Sequence, residues 1–211
     1  MKDSTLINVI LDRSGSMQRN AVETVGMFNR FLEDQKKEKG YAELSLIQFD
    51  DKYEEDYIKI PLNDCPPLVL GRTYVPRGMT ALYDAIGKSI GTVGYELNNS
   101  HEDDRPDKVL FIIITDGNEN MSREMDKQAI EKLIDHQKEK YNWDFIFLAA
   151  GLDAFGEGSK FGMTRSKCAS FGATGQGMNS IGSTMSNYTS SYRSTGDTDM
   201  KVDDFKDEKG E

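Results

Sequence analysis

Two stretches of this chain, Leu6 to Leu11 (LINVIL) and Val109 to Thr115 (VLFIIIT), run apolar without alternation, and each is closed by an aspartate, Asp12 and Asp116. A strand with one wet face alternates apolar and polar residues, whereas a strand covered on both faces does not. Such runs require a mostly parallel sheet with helices on both sides. The segments between them supply those helices. Ala21, Val25, Phe28 and Leu32 recur at i, i+4, i+7 and i+11, with Gly40 as a stop. Leu82, Ile86, Ile90 and Val93 mark a second helix, and Met125, Ala129, Leu133 and Ile134 a third, expected over Ser122 to Lys140. Ile181, Met185, Tyr188 and Tyr192 mark a last one, despite the serines around them.

Four further strands are expected. Leu44 to Phe49 and Tyr53 to Ile60 fit a hairpin, and the charges of the second (Glu54, Glu55, Asp56, Lys59) suit an antiparallel edge. Phe145 to Ala149 reads as a fifth strand and Lys167 to Phe171 as a short sixth. The prolines from Pro61 to Pro76 make the segment before the second helix a loop with at most a helical turn. The fold class is therefore α/β: a doubly wound, Rossmann-like, mostly parallel six-stranded sheet with one antiparallel edge strand and helices on both faces.

At 211 residues the chain suits one such domain, residues 1–194, with a polar appendage from Thr195 to Glu211. That appendage carries three lysines against seven acids and reads as a disordered acidic tail. Lys and Arg total 26 against 36 Asp and Glu, a net charge of −10, which disfavours nucleic acid and anionic membrane as partners. The apolar run near the start is too short for a signal sequence or a spanning helix. Cys65 and Cys168 lie far apart without a CxxC pair, so neither a disulfide framework nor a zinc site is indicated. Both features suit a cytoplasmic protein. Oligomeric state is not readable.

In a doubly wound sheet, ligands collect beyond the carboxyl ends of the strands where strand order reverses. The first strand ends in Asp12-Arg13-Ser14-Gly15-Ser16, and in extended chain residues i, i+2 and i+4 point the same way, so Asp12, Ser14 and Ser16 can converge. Gly15 permits the turn into the first helix. Asp116-Gly117 ends the fourth strand, a neighbour of the first in the order 3-2-1-4-5-6, and Thr80 stands at the entry to the second helix. Each motif alone has an ordinary explanation: a strand-to-helix turn capped by Asp12 or Ser14, a capping Thr80, a turn dipeptide. Together they deliver two carboxylates and three hydroxyls to one end of one sheet. A hard, oxygen-only set of this kind suits Mg²⁺ or Mn²⁺ rather than zinc or copper.

The pattern D-x-S-x-S (Asp12, Ser14, Ser16), then Thr80, then Asp116, resembles the metal-ion-dependent adhesion site of von Willebrand factor type A (VWA) domains. LDRSGSM, VPRGMTALYDAIG, IITDGNEN and WDFIFLAAGLDAF look most like the small, soluble, stand-alone bacterial and bacteriophage-type members, over roughly Thr5 to Thr195. The resemblance implies that Ser14, Ser16 and Thr80 ligate a divalent cation, with Asp12 and Asp116 binding directly or through water. It further implies that the ion grips a Glu or Asp carboxylate of a protein ligand, and that the chain is not an enzyme.

Three other functions compete. In a metal-dependent phosphohydrolase Asp12 would be the nucleophile, or the cation would activate water, with Glu119 and Arg13 as the nearby candidates for acid–base work; each of those also reads as a solvated loop charge. In another, the metal is purely structural. A dinucleotide site is disfavoured, because Gly156, Gly158 and Gly162 have the wrong spacing and follow the wrong strand, so they read as loop residues. His101 and His136 read as solvated, and Trp143 as a packing residue.

Overall fold

The computed structural model describes residues 3–200. Most of the acidic segment expected from Thr195 onward therefore lies outside the described residues. The strands are β1 (Ser4–Asp12), β2 (Tyr41–Phe49), β3 (Tyr53–Pro61), β4 (Lys108–Thr115), β5 (Asp144–Ala150) and β6 (Cys168–Phe171). They form one sheet in the order β3-β2-β1-β4-β5-β6. Every pairing is parallel except that of β3 with β2, which is the expected antiparallel edge.

The continuous apolar runs serve two cores at once. Ile7, Val9 and Leu11 of β1, with Leu110, Ile112 and Ile114 of β4, pack beneath α1 (Ala21–Lys37) and α5 (Gly175–Thr195). Leu6, Ile10, Val109, Phe111 and Ile113 face α2 (Leu82–Asn99) and α3 (Lys127–Tyr141) on the other side. Each of these side chains, taken from water to full burial, contributes about 1.5–3 kcal/mol. Trp143 fills the second core beside Phe111, as a packing residue should.

The serine-rich α5 is a helix because its neighbours hold it. Ile181, Met185, Tyr188 and Tyr192 are all buried, the Thr174 hydroxyl accepts from Gly177 N, and Gly196 closes the C-terminus in the left-handed region. Near that end the buried Arg193 donates to the Gln35 carbonyl at 2.7 Å and to the Lys39 and Gly40 carbonyls, locking α5 to the end of α1.

Several local expectations are corrected. α3 begins at Lys127 rather than Ser122, because Asp84 accepts from the amides of Arg123, Glu124 and Met125 and keeps them in a loop, while Asp126 caps the helix through Ala129 N. β6 starts at Cys168, one residue later than expected. Gly156 and Gly158 sit in a short helix, α4 (Ala154–Gly158), and Gly162 ends the 3₁₀ turn after it. Among the described residues no helix is long and apolar enough to cross a membrane.

Candidate metal centre

Adjacent strands β1 and β4 end side by side, and this register brings Asp12 against Thr115. The Asp12 side chain is fully buried; its Oδ1 accepts from Ser14 N at 2.6 Å and its Oδ2 from Thr115 Oγ1 at 2.5 Å. Beyond Ser14 the chain is not extended, as the i, i+2, i+4 argument supposed. Gly15–Asn20 is a 3₁₀ helix, and the turn itself sets Ser14 Oγ 3.0 Å from Ser16 Oγ. Ser16 Oγ in turn donates to Asp116 Oδ1 at 2.5 Å. Gly15 has no special dihedral angle, but a Cβ there would make a tight contact, 3.3 Å, with the Gly78 carbonyl, which accepts from Gly15 N.

Gly117 marks where the oxygens converge. A Cβ built on it would lie 2.8 Å from Thr80 Oγ1, 3.3 Å from Ser16 Oγ and 3.5 Å from Asp12 Oδ2. Oxygens from two distant segments thus surround one point beside the end of the fourth strand, where Ser16 is bonded to Asp116 of a third. Thr80 is not the cap of α2, whose N-cap position is Ala81 with no side-chain bond. Its hydroxyl lies instead at the Gly117 position, near the oxygens of Ser16 and Asp12. Asp116 Oδ2 is buried and has no hydrogen-bond partner among the described residues, the nearest cation being Arg19 Nε at 4.0 Å.

Residues that sequence reasoning missed hold these loops in place. Thr80 N donates to Asn120 Oδ1 at 2.9 Å while Asn120 N donates to the Thr80 carbonyl, which ties the second loop to the third. The Tyr74 hydroxyl donates to the Asp12 carbonyl at 2.9 Å. Arg13 is buried, not solvated: its Nε meets Asp50 at 3.2 Å and its Nη1 meets Glu54 at 2.7 Å, and Arg77 bridges the same two acids from outside. Glu119 is no free loop charge either. Its Oε1 accepts from Met121 N and Ser122 N, and its Oε2 from Tyr83 N and Ser122 Oγ, so it supplies the cap that α2 lacks locally. Arg13 gave no local signal, since its acids lie 37 and 41 residues away, whereas three of the four bonds to Glu119 come from Met121 and Ser122, within three residues of it.

Burial pushes the Asp12 carboxyl up to about 6, against hydrogen bonds from Thr115 and Ser14 that pull it down, and the neighbouring Asp116 adds to the rise. Burial raises Asp116 as well, partly offset by Ser16 and Arg19. Two carboxylates sharing one dry pocket resist ionising together. Among the described residues no three His, Cys, Asp or Glu side chains gather, so hydroxyls make up most of the donor set. Hard oxygens, two acids and one orphaned carboxylate oxygen fit a small divalent cation.

Comparison with solved structures supports the architecture. Over 87% of this chain and 47% of the other, it is similar to proximal thread matrix protein 1 from the mussel byssus, at 15% identity and a TM-score of 0.61. The fold is that of a VWA domain. Another structure of the mussel protein has a zinc-occupied MIDAS motif, and it matches at 12% identity with a TM-score of 0.59. The VWA fold is also shared with the manganese-loaded TRAP protein of Plasmodium vivax, at 16% identity, a TM-score of 0.54 and 81% of this chain against 69% of that one. It is shared likewise with the ArnB paralog VWA2 of Sulfolobus acidocaldarius, at 14% identity and a TM-score of 0.54, over 89% of this chain and 45% of that one. The chain spans about half the length of the mussel and Sulfolobus proteins. Neither a family model nor a curated protein matches it.

Proposed function

We propose that this chain is a divalent-cation-dependent protein-recognition module and not an enzyme. Asp12, Ser14, Ser16, Thr80 and Asp116 hold Mg²⁺ or Mn²⁺, and a glutamate or aspartate of a protein partner completes the set. The observation that carries the reading is the convergence of hydroxyl and carboxylate oxygens beside Gly117, with Asp116 Oδ2 buried and without a hydrogen-bond partner among the described residues. What the ion supplies when bound is a positive centre for an outside carboxylate. The chain's own residues do the rest. Three of the five side chains are neutral hydroxyls, so they offset little of the ion's charge, and the buttressed loops keep all five in place without reorganisation.

The state of Glu119 favours recognition over phosphoester hydrolysis. A carboxylate whose oxygens already accept four hydrogen bonds is poorly placed to move protons for a substrate. The buried free thiols of Cys65 and Cys168 favour a reducing, cytoplasmic setting. The test is affinity capture in Mg²⁺ and again in EDTA, with wild type and Thr80→Ala checked for folding by thermal melt. Capture should occur only for wild type in Mg²⁺. Equal capture by both proteins, or in both buffers, would assign the metal a structural role and place recognition elsewhere.

A further inference from the structure

The five oxygen-bearing residues are not equally covered. Asp12, Ser14, Thr80 and Asp116 are buried and Ser16 alone is half-buried, so solvent reaches the set at Ser16. One charged side chain stands over that opening. Gly15–Asn20 is a 3₁₀ helix, in which residues three apart eclipse, and this places Arg19 above Ser16. The turn is anchored from below by the buried Met17 and Asn20 and from the side by Gly15 N, which donates to the Gly78 carbonyl at 3.2 Å.

Arg19 Nε donates to the Ser16 carbonyl at 3.4 Å and lies 4.0 Å from Asp116 Oδ2. Its side chain is 63% exposed, and among the described residues its two terminal nitrogens have no partner. Arg13 and Arg77, the guanidinium groups of the adjoining turns, are by contrast committed to Asp50 and Glu54. Arg19 is thus a cation fixed at its base, open at its tip and set at the mouth of the oxygen cluster.

We propose that Arg19 is the residue that makes this site select a carboxylate, by gripping the oxygen of the partner's acid that the cation leaves free. The inference rests on the cation-dependent reading above. A carboxylate has two oxygens, and a planar guanidinium supplies paired N–H donors matched to them. A carboxamide would turn an NH₂ group toward those donors and be rejected. The charge of Arg19 also opposes a cation held at Asp116, so Arg19 acts on the two ligands in opposite senses: it weakens binding of the ion and strengthens binding of the acid.

Manganese and acetate serve as probes on the full chain. Free Mn²⁺ is counted by its electron paramagnetic resonance signal, and acetate is titrated into the manganese-loaded protein while water-proton relaxation is followed. For wild type the relaxation should fall saturably with acetate and not with acetamide. Arg19→Gln should bind Mn²⁺ at least as tightly and acetate about tenfold more weakly, and Arg19→Lys, which keeps the charge and loses the fork, should fall between. Equal acetate affinity in wild type and Arg19→Gln would overturn the proposal. So would joint loss of Mn²⁺ and acetate in that variant, which would make Arg19 a support of the turn, or an equal response of wild type to acetamide. Failure of wild type to bind Mn²⁺ at all would overturn the cation-dependent reading itself, and this inference with it.

Discussion

Asp116 shows how much of the site is decided atom by atom: one carboxylate oxygen is satisfied by Ser16, while the other is buried with no hydrogen-bond partner among the described residues and only Arg19 at 4.0 Å. The five oxygen-bearing residues were legible in the sequence because they are polar groups placed directly after apolar strands or at a helix entry. Their supports were not, because an ion pair between Arg13 and an acid 37 or 41 residues away has no local signature. Arg13 and Asp50 are both buried, and removing one partner of such a pair leaves a charge uncompensated. Arg13→Met should therefore cost about 3 kcal/mol in urea unfolding; a loss under about 1 kcal/mol, the worth of an exposed pair, would mean Arg77 alone satisfies both acids. Glu54 gives a pH test. The Arg13 hydrogen bond, helped by Arg77, holds its carboxyl down at about 2, below the ordinary 4.5. Its contribution is full above pH 4.5 and fades as pH falls through 2. Glu54→Gln should lower the urea midpoint at neutral pH and flatten its decline through that window. An unchanged profile would remove Glu54 from the account of acid stability.

Helices and strands were read well where burial follows a simple period. The four positions expected on the inner face of α2, and the four on α5, are all buried. Boundaries failed where a distant side chain overrides local preference. Ser122 looks like a helix start, yet Glu119 accepts from its amide and its hydroxyl, while Asp84 accepts from the next three amides. The same logic explains why Thr80 is free to face the cation site: the amides of Tyr83 and Asp84 in the first turn of α2 go to Glu119 and Ser122 instead. Glu119→Ala should accordingly cost about 1 kcal/mol, as loss of a helix cap does, and amide exchange at Tyr83, Met121 and Ser122 should quicken. Slow exchange retained at those three amides would show that the loop is held by other contacts.

Across the whole molecule, the order β3-β2-β1-β4-β5-β6 puts the reversal of direction between β1 and β4, and the candidate site stands at their carboxyl ends. Two apolar runs ending in aspartate were enough to anticipate this, since only a sheet covered on both faces accommodates them and only adjacent strands bring their ends together. The central claim is that oxygens from three loops share one cation. Crystals grown with Mn²⁺ and measured at the manganese absorption edge test it. A single anomalous peak bounded by Asp12, Ser14, Ser16, Thr80 and Asp116 is the expected result; full Mn²⁺ with no peak there, or with the peak elsewhere on the chain, would contradict it.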